Sequence, residues 1–335
     1  MSPCVAGMGR GGAGSREGTH EAVPDPAADP AADSAPGPVR GHNGPMDTAL
    51  REFVRAPLPP EQGGRVVSAV GYRTSGETPG LHRGLPSPYL TLIFSLDGPV
   101  VTGRTAEQAT GPDAVRTDIV VGGLHQSPAY VVQPEHQAGI QLAVHPLAAR
   151  SLLGLPAAEL TGVLVADGTD VLGRMAAEVR ERLCAADGWD ERFACLNAYL
   201  ARRAADAGRL GPVRPEVAEA WAWLARHRGA GTLRGLAAHV ALSERRLSAL
   251  FRAETGVTPK QAARLLRFQH AKARIVRAVV AGAPADLARV AADCGYYDHS
   301  HLVRDFRQYT GASPSAWLAE ECRNIQAGGH RDGED

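Results

Sequence analysis

The chain has 335 residues, 36 acidic against 36 basic side chains, and an apolar fraction of 44%. That is room and apolar surface for two ordinary globular domains. No run approaches the roughly 18 to 20 consecutive apolar residues of a membrane helix, and the N-terminus lacks the compact apolar core of a secretory signal. A soluble, cytoplasmic chain is expected, with no membrane partner. Five cysteines, at 4, 184, 195, 294 and 322, have neither CxxC spacing nor the density of a disulfide scaffold, so reduced, mostly buried thiols are expected. The zero net charge hides an asymmetry: residues 214–325 hold 17 Lys or Arg against 10 Asp or Glu, which leaves that segment at +7 and the rest at −7. One half is thereby suited to a polyanion and the other is not.

In chain order, residues 1–45 contain 9 Gly, 8 Ala and 7 Pro and no aromatic side chain, and read as a disordered tail. Met46 then opens MDTALREFV, which has the look of an ordinary protein start, so translation from Met46 is an expectation. Residues 46–207 read as one β-rich domain with helices at its C-terminal end. From Arg65 to Pro146 the segments RVVSAVGY, YLTLIFSL, PVVTG, DIVVGG, AYVVQ and GIQLAVH alternate with Gly, Pro, Asp and Ser turns, the pattern of short strands in a small β-barrel or sandwich. After Pro146 the period becomes helical, with Leu172, Met175, Val179 and Leu183 on one face. These helices are expected to cover the barrel or to form a dimer face. GRLGPVRP, 208–215, is the expected linker. Beyond it, Val217, Trp221 and Leu224 fall at i, i+4 and i+7 and mark a buried helix face, with Trp221 as core.

The last third of the chain repeats itself. LRGLAAHVALSERRLSALFRAETGVTP aligns with LARVAADCGYYDHSHLVRDFRQYTGASP, Leu236, Ala237 and Ala238 on Val290, Ala291 and Ala292 at an offset of 54, then Leu247, Phe251, Thr255, Gly256 and Pro259 on Leu302, Phe306, Thr310, Gly311 and Pro314 at 55. Each unit reads as a helix, a turn and a second helix ended by Thr-Gly. Ser243 and Asp298 suit the N-caps of the second helices. The two units are tandem helix-turn-helix motifs, joined by PKQAARLLRFQHAKARIVR as one helix of about 27 Å. Such a strut holds two reading heads about one DNA turn, near 34 Å, apart. The fold class is therefore α+β: a small β-barrel or sandwich with covering helices, then an all-α domain over 216–320 and a flexible tail over 321–335.

DHSHLVRDF, 298–306, carries five ionisable side chains in nine positions, and helical geometry decides what they can do. At about 100° per residue, Leu302, Phe306 and Tyr309 share one side while Ser300, Arg304 and Arg307 face the other. His299 and His301 diverge by about 200°, so one metal ion cannot take both, and no metal site is expected. His301 is one turn from Asp305 and is expected to pair with it. Arg304 can fork onto guanine O6 and N7, Arg307 is placed for phosphate, and Ser300 and His299 can reach base edges.

On these residues, 214–320 resembles the DNA-binding domain of AraC-type transcriptional regulators, and GYYDHSHLVRDFRQYTGASPSAW, 295–317, is similar to that family's signature in its Ser-His, Arg-x-Phe and Gly-x-Ser-Pro elements. The resemblance implies a two-headed DNA reader with both second helices in the major groove. Carried over position by position, it implies base-facing roles for Arg245, Ser248 and Ala249 in the first helix, with Arg246 and Arg252 on phosphates, and for His299, Ser300, His301 and Arg304 in the second. Ser248 and Ala249 are small where the family often has longer polar side chains, which leaves base readout by the first head mainly to Arg245.

GLHRGLPSPYLTLIFSL and LLGLPAAEL are more loosely similar to sensor domains of such regulators from actinobacteria. That implies a regulator acting on promoter DNA, controlled by a small-molecule effector or a second copy of the chain, and meeting RNA polymerase if it activates. His82, His125, His136 and His145 lack the clustered HxH and nearby Glu of a cupin metal site, so no metal, cofactor or catalytic set is expected. The alternative, an AraC-type domain fused to a DNA-repair enzyme, needs a four-cysteine zinc site or a PCHR-like nucleophile motif, and the sequence has neither.

Overall fold

A computed structural model describes residues 50–206 and 211–326. The expectations for the tail at 1–45, for Met46 and for residues 208–210 and 327–335 lie outside the described residues. Ten strands come first: β1 Leu50–Arg55, β2 Val66–Ser75, β3 Gly80–Gly84, β4 Leu90–Ser95, β5 Val100–Gly103, β6 Val115–Thr117, β7 Ile119–Gly122, β8 Ala129–Gln133, β9 Gln137–Val144 and the two-residue β10 Ala166–Asp167. They form two open antiparallel sheets, β1-β2-β9-β4-β7-β10 and β3-β8-β5-β6, rather than a closed barrel. Alternation sets the faces: Leu90, Leu92 and Phe94 of β4 and Ile140, Leu142 and Val144 of β9 all point into the core.

The helices interleaved with and following the strands are α1 Ala106–Thr110, α2 Ala149–Leu152, α3 Gly168–Leu172, α4 Arg174–Ala185 and α5 Trp189–Ala205. The last covers the larger sheet, with Tyr199 edge-on to Phe94 at 6.4 Å between ring centroids. The single amphipathic face expected from Leu172 through Leu183 is broken. Gly173 takes a left-handed φ of +80° between α3 and α4, which resets the helical phase. Leu172, Val179 and Leu183 are buried, but Met175 is 43% exposed. The sequence reading also missed β1, which pairs with β2 from Leu50↔Ser75 to Arg55↔Val70.

Seven helices complete the described chain: α6 Pro215–Arg226, α7 Leu233–His239, α8 Glu244–Thr255, α9 Pro259–Val280, α10 Leu287–Asp293, α11 His299–Thr310 and α12 Pro314–Gln326. The strut α9 has 22 residues, about 33 Å at 1.5 Å each, longer than expected and held at its start by a capping box of Thr258 and Gln261. Helix α12 runs on past residue 320. Val217, Trp221 and Leu224 are buried as expected, and Trp221 stacks on Phe251 at 5.7 Å.

Apolar burial ignores the boundary between β-rich and helical regions. One continuous core includes Phe94, Ile140, Leu183 and Leu196 together with Trp221, Leu247 and Phe251 of the first helix-turn-helix unit. A second core, around Phe268, Leu302, Phe306, Tyr309 and Trp317, belongs to the second unit. Helix α9 supplies both, Ala262 and Leu266 to the first and Leu265, Phe268 and Ile275 to the second.

Candidate nucleic-acid interface

The two units repeat in hydrogen bonds as well as in sequence. Helices α8 and α11 have 12 residues each; Ser243 accepts from the Arg246 amide at the start of one, and Asp298 accepts from the His301 amide at 2.7 Å at the start of the other. At the far ends, Gly256 and Gly311 take left-handed φ of +80° and +74°. The hydroxyls of Thr255 and Thr310 donate to the carbonyls of Phe251 and Phe306, each at 2.8 Å. Leu247 and Phe251 in one unit, and Leu302, Phe306 and Tyr309 in the other, are buried with almost no accessible surface. Each second helix is thus locked by its apolar face and presents the other face outward.

The outward faces carry the residues that the sequence singled out. Arg245, Arg246, Ala249 and Arg252 on α8 are exposed and Ser248 is half-buried; on α11, His299, Ser300, Arg304 and Arg307 are exposed and His301 is half-buried. They lie in two patches, one per second helix, each running from the first turn to the last, where Arg252 and Arg307 sit. Arg304 folds back along its helix, its Nε donating to the Ser300 carbonyl at 3.3 Å.

One expected pair is wrong. His301 does not meet Asp305: its Nδ1 accepts from the Tyr297 amide at 3.4 Å and its ring stands edge-on to Tyr296 at 5.1 Å. Asp305 is 1% exposed and pairs across the unit with Arg264 of α9 at 2.7 Å. Arg264 also donates to Gln308 and lies over the Tyr309 ring, so the pair clamps α11 to the strut. A buried carboxylate takes the permanently charged guanidinium that reaches it from the facing helix, and the His301 ring is already committed to the Tyr297 amide.

Sequence reasoning also missed a set of contacts between the β-rich region and the far ends of both second helices. Arg150 makes a bidentate bridge to Glu254 near the end of α8, 2.8 Å on each arm, with Glu254 only 5% exposed. The hydrogen bond to Glu254 raises the guanidinium's already high pKa. Arg83 reaches the equivalent end of α11, donating to the Thr310 carbonyl at 2.9 Å and pairing with Glu320 of α12. Gln308 donates to the Gln126 carbonyl at 3.3 Å. These partners are 104 to 237 residues apart in the chain, and no local pattern announces them.

The four histidines of the β-rich region each have a different neighbour: His82 faces Glu321, His125 meets the Ser127 carbonyl, His136 lies beside Glu135, and His145 accepts from the Leu147 amide. Among the described residues no three His, Cys, Asp or Glu side chains gather in a way that could hold a metal ion. His145 sits edge-on to Trp221 at 5.5 Å, and burial pushes its pKa down to about 4. No helix of the described residues is long and apolar enough to cross a membrane.

Two short helices per unit, capped alike, with a basic outward face on each second helix, define the class: a tandem helix-turn-helix protein. Residues 236–320 match the family model described as a helix-turn-helix domain. Among solved structures, the chain is similar to an apo form of ToxT, a point variant from Vibrio cholerae strain SCE256, at 9% identity and a TM-score of 0.45 over 75% of this chain and 97% of that one. ToxT from Vibrio cholerae O395 gives 11% identity and a TM-score of 0.42 over 75% and 96%. Wild-type ToxT of strain SCE256 with an unsaturated fatty acid bound gives 9% and 0.44 over 75% and 94%. Among curated proteins, none matches the chain significantly.

Proposed function

We propose that this chain is a sequence-specific DNA-binding transcription regulator in which the two second helices read promoter DNA and the β-rich region senses a small effector or a second copy of the chain. The carrying observation is the pair of equivalent, solvent-facing helix N-termini with Arg245 and Arg246 on one and His299, Ser300 and Arg304 on the other, set in a segment of net charge +7. In this reading Arg245 and Arg304 fork onto guanine, while Arg246, Arg252 and Arg307 grip phosphate. An effector changes DNA affinity only by favouring one arrangement of the β-rich region and the heads. The shared apolar core and the contacts of Arg150 and Arg83 with the helix ends join the two regions, and such a change would act through them.

An enzymatic reading has less support. Burial pushes the Cys294 thiol up to about 11, the opposite of what activates a nucleophilic cysteine. The test of the regulator reading is selection of a random duplex library on the purified protein at physiological salt, with the bound fraction sequenced. Two enriched blocks with centres about 10 base pairs apart are expected. Absence of any enrichment, with and without added metabolite extract, would remove the reading.

A further inference from the structure

The two helix-turn-helix units differ by one residue, and the structure identifies which. The turns are equivalent at an offset of 54 through their first three positions: the Val240 and Cys294 amides donate to Leu236 and Val290, the Ala241 and Gly295 amides to Ala238 and Ala292, and the Leu242 and Tyr296 amides to Ala237 and Ala291. Ala241 and Gly295 are both left-handed, at φ +54° and +72°. The N-caps Ser243 and Asp298 are already at an offset of 55. The inserted residue is therefore Tyr297, between the buried anchor Tyr296 and the N-cap of α11. Its side chain is 93% exposed, the most exposed large hydrophobic side chain among the described residues.

The backbone beneath this ring is fixed on both sides. Tyr296 is buried, the Tyr297 amide donates to His301 Nδ1, and Asp298 is committed to the His301 amide. An aromatic side chain with only two torsions before its ring, on a pinned backbone beside the N-terminus of a reading helix, loses little freedom on meeting a partner. The residue just before a groove-entering helix lies level with the sugar-phosphate strand rather than with the base edges, and tyrosine hydroxyls are among the groups that bond phosphate there.

We infer that Tyr297 is an additional DNA contact of the second head, its hydroxyl donating to a backbone phosphate oxygen at the edge of the groove entered by α11. The inference rests on the DNA-reading function proposed above. It gives the second head a backbone contact for which the first turn has no counterpart. A phenol releases no counterion, so the contact contributes affinity without contributing to the salt dependence, unlike Arg246, Arg252 or Arg307.

The experiment measures binding of the full chain, Tyr297→Phe and Tyr297→Ala to the selected duplex and to unrelated duplex over a range of salt, with thermal melting as the check on folding. The side chain is exposed, so both variants should melt like the parent. Expected for Tyr297→Phe is a loss of about tenfold, the lower end for a hydrogen bond to a charged group, equal on both duplexes and with an unchanged slope of log affinity against log salt. Replacing the contacted phosphate by a neutral methylphosphonate, which keeps one acceptor oxygen but loses the charge, should shrink the difference between parent and Tyr297→Phe. A wild-type affinity for Tyr297→Phe would overturn the assignment, whether or not Tyr297→Ala is weakened. If the parent chain itself prefers no duplex and Arg304→Ala binds as it does, the underlying DNA-reading function fails instead.

Discussion

Arg304 and Arg307 are one turn of helix apart, roughly, and both exposed, yet the chemistry asked of them differs. Arg304→Ala should cost about 1 to 3 kcal/mol on the selected site and relax preference at a single base pair. Arg307→Ala should weaken binding to every sequence alike and flatten the salt dependence by about one counterion. Competition binding at two salt concentrations separates the two, and equal, sequence-blind losses would show that α11 only grips the backbone. His145 makes a different kind of prediction. Its folded pKa of about 4 lies below the ordinary value of about 6.5, so the unfolded chain takes up a proton that the folded chain refuses. Stability should be insensitive to this group above pH 7 and fall as the pH drops from about 6.5 toward 4. His270, also pushed down to about 4 by burial and then by Arg228 nearby, adds a second such proton. His145→Asn retains a cap for the Leu147 amide and should shallow the acid limb by about one proton in urea titrations at several pH values.

At the scale of elements, the paired C-caps offer an internal comparison. Gly256 and Gly311 have the same left-handed backbone, but an added methyl at Gly256 would run into the Thr161 hydroxyl, whereas at Gly311 the nearest atom is an Arg83 nitrogen at 3.5 Å. Gly311→Ala should therefore cost only the backbone strain, about 1 to 2 kcal/mol. Gly256→Ala should cost clearly more, and thermal unfolding of the two variants side by side checks the order. The repeat itself was legible because everything that builds a capped helix-turn-helix lies within about 25 consecutive residues: a serine or aspartate, an apolar face, a Thr-Gly end. The phase of α3 and α4 was not, since one glycine at Gly173 interrupts a pattern that otherwise continues. Asp305 was misread for a related reason. His301 is four residues away and Arg264 is 41, and sequence spacing favours the near neighbour while burial favours the one on the facing helix.

For the whole molecule, the decisive contacts join residues that the sequence holds far apart, which is why the candidate reading faces could be read from the chain and their connection to the β-rich region could not. Arg150→Ala would strand the Glu254 carboxylate at 5% exposure, and a loss of about 2 to 4 kcal/mol is expected. Adding Glu254→Gln should recover most of it, since the uncompensated charge is then gone. A double-mutant cycle by chemical denaturation measures this, and a full loss in the double variant would mean that packing rather than charge joins the surfaces there.

Both arginine contacts fall at the same relative place, the trailing end of each second helix, while the leading ends stay open to solvent. Docking of this kind resembles a hand on the handles of a calliper more than a cover over its tips. Movement of the β-rich region would alter the gauge between the tips, so a ligand that shifted it would change which spacing of half-sites is preferred, and two operators differing by a single base pair in that spacing could respond to it in opposite directions.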